Sequence, residues 1–330
     1  MKILVTGATG YVGHRLALTL AERDNEIHVL VRNPNSDHIP QHKNIKVFSG
    51  DITDKPSIIE AIDGCDQVYH TAALVKVFNK DSSLFYKVNV EGTHNLLSTA
   101  LEVGVKKFVF TSSCSVIGAT LKEEMCENDT RITPLDNEYD NTKFLAENLV
   151  KEFSNKGLHT VIVSPSKVFG PSSFETNAFS VNTIIDKFIK GKLTLIPKPD
   201  KLVANYCFID DVVEGHILAM SEGTLGEKYI LGGENISFKN LFHTIRILSG
   251  TKANLVETPK ILVKIWAALQ WIQYITIHKE PIITKNSIQQ IFCNKIFSSE
   301  KATRELGYRI TPFEESLKRT IQFLKNQHHD

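Results

Sequence analysis

The sequence predicts an α/β protein, a doubly wound parallel sheet covered by helices and followed by a smaller, mostly helical C-terminal lobe. Three observations predict it. Short apolar runs alternate with helical patterns up to about residue 165, which is the signature of a sheet built from strand–helix–strand units. The runs are continuous in Val, Ile, Leu and Phe rather than alternating with polar residues, as strands buried on both faces require. After Pro165 the alternation loosens, and Gly170-Pro171, Gly191 and Pro197 to Pro199 punctuate the connections.

KILVT (2–6) reads as the first strand, residues 11–22 as the first helix, and EIHVLV (26–31) and IKVF (45–48) as the next two strands. A helix over 56–62 leads into DQVYH (66–70), a long helix over 84–102 into KKFVFTS (106–112), and a helix over 139–154 into HTVIVS (159–164). Crossovers between such strands are right-handed. The tail reads as two helices, 298–306 and 312–325, the second with Pro312 in its first turn and Glu314 and Glu315 behind it, a favourable helix start.

A chain of 330 residues has room for two packed units. With 42% hydrophobic and 23% charged residues it is a folded composition, not a disordered one. Lys and Arg number 38 against 37 Asp and Glu, leaving +1, so the molecule as a whole has no electrostatic attraction for nucleic acid or for an anionic membrane. A small molecule is the expected partner. The cysteines, Cys65, Cys114, Cys126, Cys207 and Cys293, are scattered and include no CxxC pair, which indicates neither a disulfide framework nor a thiolate metal cage and fits a reducing cytoplasm. The N-terminus lacks the pattern of a signal peptide, so no export is expected. His14, His28, His70 and His216 stand isolated and His328-His329 lie in the tail, so no metal site is expected. Residues 259–277, PKILVKIWAALQWIQYITI, are apolar on most faces but interrupted by Lys264, Gln270 and Gln273. A membrane span wants ~18 clean apolar residues, and the stretch is read as a buried or substrate-covering helix rather than a membrane contact.

KILVTGATGYVG sets Gly7, Gly10 and Gly13 between the first strand and the first helix. Such a turn lets backbone N–H groups approach a pyrophosphate at the positive end of the helix, and the last glycine lets that helix pack close to the sheet. The expected ligand is a dinucleotide. Arg32 ends the second strand, where an acidic residue would hydrogen-bond the ribose hydroxyls of NAD. An arginine can pair instead with a 2′-phosphate, so NADP is expected ahead of NAD, a solvated surface arginine being the plain alternative. Asp51 and Ile52, after the third strand, stand at the level of an adenine, although an Asp there also serves as a helix cap.

YDNTK places Tyr139 and Lys143 one turn apart on a helix face. A tyrosine of ordinary pKa ~10 is a poor acid–base catalyst at neutral pH, and a neighbouring ammonium favours its phenolate. Alone, the pair would be an ordinary solvated face. Preceding it, FVFTSSCSVIG (108–118) brings Ser113 to the end of a strand, where its hydroxyl can donate to a substrate oxygen. Cys114 next to it reads as a buried, inert thiol before a redox group.

With these motifs the chain resembles the extended short-chain dehydrogenases/reductases, the NAD-dependent epimerase/dehydratase superfamily, over nearly its whole length. TGATGYVG is similar to the family's cofactor loop, adding Thr9, Tyr11 and Val12 to the glycines, and HTAA (70–73) to its strand-four motif with Thr71, Ala72 and Ala73. NVEGT (89–93) resembles the helix-four motif, and PSKVFGP (165–171) the segment that brackets the nicotinamide with Pro165 and Val168. FIDDVVEGH (208–216) resembles the return to the nucleotide domain, and residues 297–317 the C-terminal signature. The resemblance implies a Rossmann fold, a triad of Ser113, Tyr139 and Lys143, and a water relay from Asn89 to Lys143. Tyr139 and Lys143 would also touch the cofactor. It further implies hydride transfer at a carbonyl or alcohol without a metal, and a homodimer formed by helices of the nucleotide domains. The expected NAD(P)-binding domain is 1–167 with 205–232, and the substrate lobe is 168–204 with 233–330.

Nucleotide-sugar enzymes of this kind carry arginines in the substrate lobe, yet none occurs between Arg131 and Arg246. Lys192, Lys198 and Lys201 lack the bidentate fork. Trp266, Trp271 and Tyr274 in the 259–277 stretch suit an apolar substrate, with ordinary lobe packing as the alternative. The expected function is therefore NADPH-dependent reduction of an apolar ketone or aldehyde, similar to the dihydroflavonol reductase and 3β-hydroxysteroid dehydrogenase branch. An NAD-dependent nucleotide-sugar epimerase or dehydratase is the runner-up, and a catalytically silent dinucleotide sensor the third reading.

Overall fold

A computed structural model describes residues 1–76, 78–120, 123–135, 137–172, 180–192 and 194–327. The first half runs β1 (Lys2–Thr6), α1 (Tyr11–Glu22), β2 (Glu26–Val31), β3 (Ile45–Ser49), α2 (Lys55–Ile62), β4 (Gln67–His70), α3 (Ser83–Tyr86), α4 (Gly92–Glu102), β5 (Lys107–Thr111), α5 (Glu138–Asn155) and β6 (Thr160–Pro165). The second half adds β7 (Lys167–Phe169), α6 (Val181–Ile189), β8 (Thr194–Pro197), β9 (Val203–Phe208), α7 (Ile209–Glu222), β10 (Lys228–Leu231), β11 (Glu234–Ser237) and α8 (Phe238–Ser249). It ends with β12 (Leu255–Thr258), α9 (Lys260–Ile277), α10 (Lys285–Ile291), α11 (Glu300–Leu306) and α12 (Phe313–Asn326).

Seven strands form one parallel sheet in the order β10-β6-β5-β4-β1-β2-β3. The order reverses at β1, and in open sheets the crevice at such a switch point is where a ligand enters. Alternate residues of the strands supply two cores. Ile3, Val5, Tyr69, Val109, Val161 and Val163 face α1 and α7, whereas Leu4, Val68, Phe108, Phe110 and Ile162 face α2, α4 and α5. The inner strands are mainly apolar because neither of their faces meets water, whereas the edge strand β3 is partly exposed. The first core continues without a break into the second half, through Phe169, Phe188, Phe208, Phe242 and Leu317. There α7 lies against α1 with the pairs Arg15–Asp210 and Arg23–Glu214, and β10 joins the sheet beside β6.

The structure departs from the sequence reading in four places. The long helix is interrupted by a π-helical turn, Lys87–Glu91, which separates α3 from α4. Two small sheets, β11-β9-β7 and β12-β8, sit where mostly helices were expected, because their strands are only three to six residues long and carry little periodicity. Pro312 is the N-cap of α12 and not part of its first turn. Finally, α9 is not a buried helix: Ala267 and Gln270 are its only buried residues. The pattern alone could not choose its inward face, since most of its faces are apolar. His328 and His329 lie outside the described residues.

Candidate active site

The turn from β1 into α1 is built by its glycines. Gly7 has φ +78°, and a Cβ there would stand 2.6 Å from the backbone N of Ala72. A Cβ on Gly13 would come within 2.3 Å of the Gly7 carbonyl oxygen and 2.4 Å of Thr71 Oγ1. The Gly10 N–H donates to the Gly7 carbonyl at 2.9 Å and closes the turn. No side chain caps the N-terminus of α1, so its first N–H groups face the crevice with their dipole, as an anion site requires.

These residues open onto a cleft of about 510 Å³ at the switch point. Every residue assigned to the cofactor from sequence lines it: Gly7, Thr9, Gly10, Tyr11, Val12 and Gly13 from the turn, Arg32 after β2, and Asp51 and Ile52 after β3. Thr71, Ala72 and Ala73 follow β4, while Pro165 and Val168 close the far side. The Tyr11 hydroxyl donates to the Gly170 carbonyl at 3.0 Å and ties the turn to the segment behind β7. Arg32 is exposed and makes no hydrogen bond or ion pair with another described residue, so its guanidinium is uncommitted at the rim. The polar turn, the bare helix end and the free cation together fit a dinucleotide.

Ser113, Tyr139 and Lys143 line the same cleft. Asn137 caps α5, its side chain accepting from the Asp140 N–H at 2.8 Å, and this cap fixes the first turn that carries Tyr139. Arg131 holds the turn to the serine loop: it donates to the carbonyls of Ser115, Val116, Thr133 and Pro134 and pairs with the buried Asp140 at 3.3 Å. Lys143 donates from Nζ to the Thr111 carbonyl at 2.7 Å and lies over the Phe110 ring. Burial lowers the Lys143 ammonium to about 7 against the pull of Glu147. Burial likewise pushes the Tyr139 phenol up to about 12, and hydrogen bonding with Ser113 acts in the opposite direction. Burial thus outweighs the expected acidification of the phenol, because desolvation disfavours the charged forms of both side chains.

Asn89 is not a lining residue. Held in the π-helical turn, it accepts from the Leu74 N–H at 2.7 Å and donates to Thr142 Oγ1 at 3.0 Å, so it ties the loop after β4 to α5 one residue from Lys143. Behind Lys143, sequence reasoning missed a buried ion pair, Glu147 with Lys228 at 2.8 Å, to which Ser112 also donates. The i, i+4 spacing of Lys143 and Glu147 was the available signal, whereas Lys228 lies 81 residues further on. Cys114 is buried, its thiol donating to the Ser164 carbonyl at 3.1 Å. His70 is held between Thr6 and Thr93, and His216 between Thr111 and Val212.

A second cavity, of about 1060 Å³, adjoins the cleft and shares Val75 and Tyr139 with it. The inner face of α9 supplies Lys260, Lys264, Ala267, Ala268 and Trp271 to its wall. Phe78 stands edge-on to Trp271 and Tyr274, with ring centroids 6.2 and 5.0 Å apart, and Phe85 and Ile288 complete an apolar side. Among the described residues no arginine lines it.

A glycine turn opening onto the switch point of a parallel sheet defines a dinucleotide-binding architecture, and comparison with known proteins narrows that class. The chain belongs to the NAD dependent epimerase/dehydratase family, whose model matches residues 3–232. It is similar to a sterol demethylase protein B of Methylococcus capsulatus, 29% identical over 93% of each chain. A 3-beta-hydroxysteroid dehydrogenase of Mycolicibacterium neoaurum is 27% identical, over 93% of this chain and 86% of that protein. The crystal structure of gox2253 is 31% identical with a TM-score of 0.82, covering 98% of both chains. This chain is accordingly an oxidoreductase of the extended short-chain dehydrogenase/reductase type, served by a nicotinamide dinucleotide.

Proposed function

We propose that the protein is an NADPH-dependent reductase of a ketone or aldehyde carried by a small, mainly apolar molecule, with Tyr139 as the acid–base group. One observation carries the reading: Tyr139 lines both the dinucleotide cleft and the aromatic-walled cavity, so its hydroxyl stands where the two ligands would meet. When bound, the nicotinamide supplies the hydride. Tyr139 gives a proton to the carbonyl oxygen and Ser113 holds that oxygen by a hydrogen bond. A phenol pushed up to about 12 keeps its proton at neutral pH, which suits reduction. Lys143 holds the ribose and stabilises the phenolate left behind, and Asn89 positions the α5 turn that carries Lys143 and supports its proton supply. Arg32 pairs with the 2′-phosphate. The cofactor part is 1–167 with 205–232 and the substrate part 168–204 with 233–330.

The apolar substrate is supported by Phe78 and Trp271 in the cavity wall, with Tyr274 packed against both rings, and by the names of the steroid- and sterol-directed relatives. A nucleotide-sugar epimerase or dehydratase is the second reading, favoured by Lys76, Lys260 and Lys264 in the cavity wall. NADPH consumption measured with a panel of apolar ketones and aldehydes tests the proposal. Turnover of panel members supports it, whereas silence on the whole panel together with interconversion of a nucleotide-sugar on tightly held NAD would install the second reading.

A further inference from the structure

Lys143 carries its charge in an interior that disfavours it. Its ammonium touches only neutral groups, the Thr111 carbonyl at 2.7 Å and the Phe110 ring with its centroid 4.6 Å away, and burial lowers its pKa to about 7. An ammonium so placed loses its proton near neutral pH, and with it the means to stabilise a phenolate at Tyr139.

One helical turn on, at the i+4 position that shares its face, stands Glu147. Its carboxylate is fully engaged. Lys228 of β10 reaches one oxygen at 2.8 Å and the other at 2.9 Å, and the Ser112 hydroxyl donates to it as well. Both members are buried, Glu147 at 5% exposure and Lys228 at 8%. A buried pair of this kind is weak support for stability, since apolar residues of similar volume often serve a fold as well. Its place says more. Ser112 lies between Thr111, whose carbonyl holds Lys143, and Ser113, which lines the cleft, so the pair grips the strand end on which the site is assembled. Of its two charges, Glu147 is the one that acts on Lys143, favouring the ammonium against burial.

The other titratable groups around Lys143 are neutral, paired or remote. Tyr139 on the same helix, His70 at the end of β4 and His216 beneath Thr111 are buried and uncharged at pH 7. Asp140 is paired with Arg131, and Lys107 sits at the opposite end of β5 on the Ser221 carbonyl. Of the elements packed on α5, the π-helical turn brings Asn89 while its Lys87 and Glu91 are exposed, and α3 brings the exposed Tyr86. Helix α4 sets His94 beside Phe153, far along α5, and β6 carries no charged residue.

We propose that Glu147 and Lys228 are positioning residues for the reaction: the carboxylate keeps Lys143 charged at working pH, and Lys228 limits that effect by drawing part of the carboxylate's field to itself. This role rests on the acid–base functions given above to Tyr139 and Lys143.

The two members of one ion pair should then act in opposite directions, which general damage to the fold does not produce. With Lys143 needed as a cation, kcat/KM falls as the pH rises through its pKa in the free enzyme. Glu147→Gln removes the carboxylate and leaves Lys228 as a second buried cation, so this limb should move down by at least about one pH unit. Lys228→Gln frees the carboxylate and should move the limb up. If the single variants do not fold, the double Glu147→Gln, Lys228→Gln variant keeps the interior neutral and should still lower the limb, because the charge that acts on Lys143 is gone. Carbon-13 NMR of ε-labelled lysine follows the Lys143 ammonium without turnover and should show the same directions. Shifts of one sign in both single variants overturn the proposal, as does a fall in kcat with the limb and the Lys143 titration unmoved in any variant that folds. Titration of Lys143 that moves as expected in a protein inert toward every carbonyl substrate would uphold the effect on its charge and overturn the reductase reading alone.

Discussion

The two cavities that meet at Tyr139 are made by different means. The dinucleotide cleft is formed largely by backbone: strand ends of the parallel sheet, a glycine turn at φ +78°, and the bare N-terminus of α1. The neighbouring cavity is formed by side chains, with α9 and the loop after β4 contributing Phe78, Trp271, Lys260 and Lys264. Geometry fixed by main-chain hydrogen bonds tolerates few residues and serves one ligand, whereas a wall of side chains can be recast by substitution while the sheet stays as it is. Changes in the first should alter cofactor binding, and changes in the second should alter substrate choice.

The largest test falls on the shared residue. Tyr139→Phe should cut turnover by about a thousandfold, the usual scale of a lost acid–base group, with cofactor affinity by fluorescence titration almost unchanged. Unaltered turnover would remove Tyr139 from the chemistry. On the cleft side, Arg32→Ala should weaken NADPH by roughly ten- to a hundredfold, the range of a hydrogen bond to a charged group, and NADH far less. Equal weakening of both would end the phosphate pairing. On the cavity side, Trp271→Ala should raise KM for an apolar substrate severalfold without moving the Kd of the cofactor, and a change in Kd would mean that the two spaces are not separable.

A smaller and more general effect concerns pH. His70 and His216 are buried, and burial lowers their pKa values from 6.5 to about 3 and about 4. They stay neutral in the fold and take up protons once unfolded. Their stabilising contribution is thus complete above 6.5 and is lost as the pH falls below it. Each should cost the fold about 1.4 kcal/mol per pH unit across that window. Denaturant titrations at pH 7 and 5 check this, and His70→Gln should flatten the slope if it folds.

The cleft was legible because its signals are local. Gly7, Gly10 and Gly13 fall within seven consecutive residues, and Tyr139 and Lys143 within five. The strands that carry them are mostly apolar runs, so a parallel, doubly wound sheet followed from their alternation with helices, whereas the place of β10 beside β6 did not. What could not be read depended on distant partners or on a face. Glu147 and Lys228 meet across the fold, and the π-helical turn that swings Asn89 inward leaves no mark in a helical pattern. Helix α9, apolar nearly all round, does not say which side it turns to the protein.

The unbroken core that runs from the main sheet through Phe169, Phe188, Phe208 and Phe242 has a consequence for how such a molecule can diversify. The second half cannot be exchanged as a cassette, because removing it would strip α7 from one side of the sheet and β10 from its edge. New selectivity has to be written into the outlying helix and its facing loop, residue by residue, on a body inherited intact.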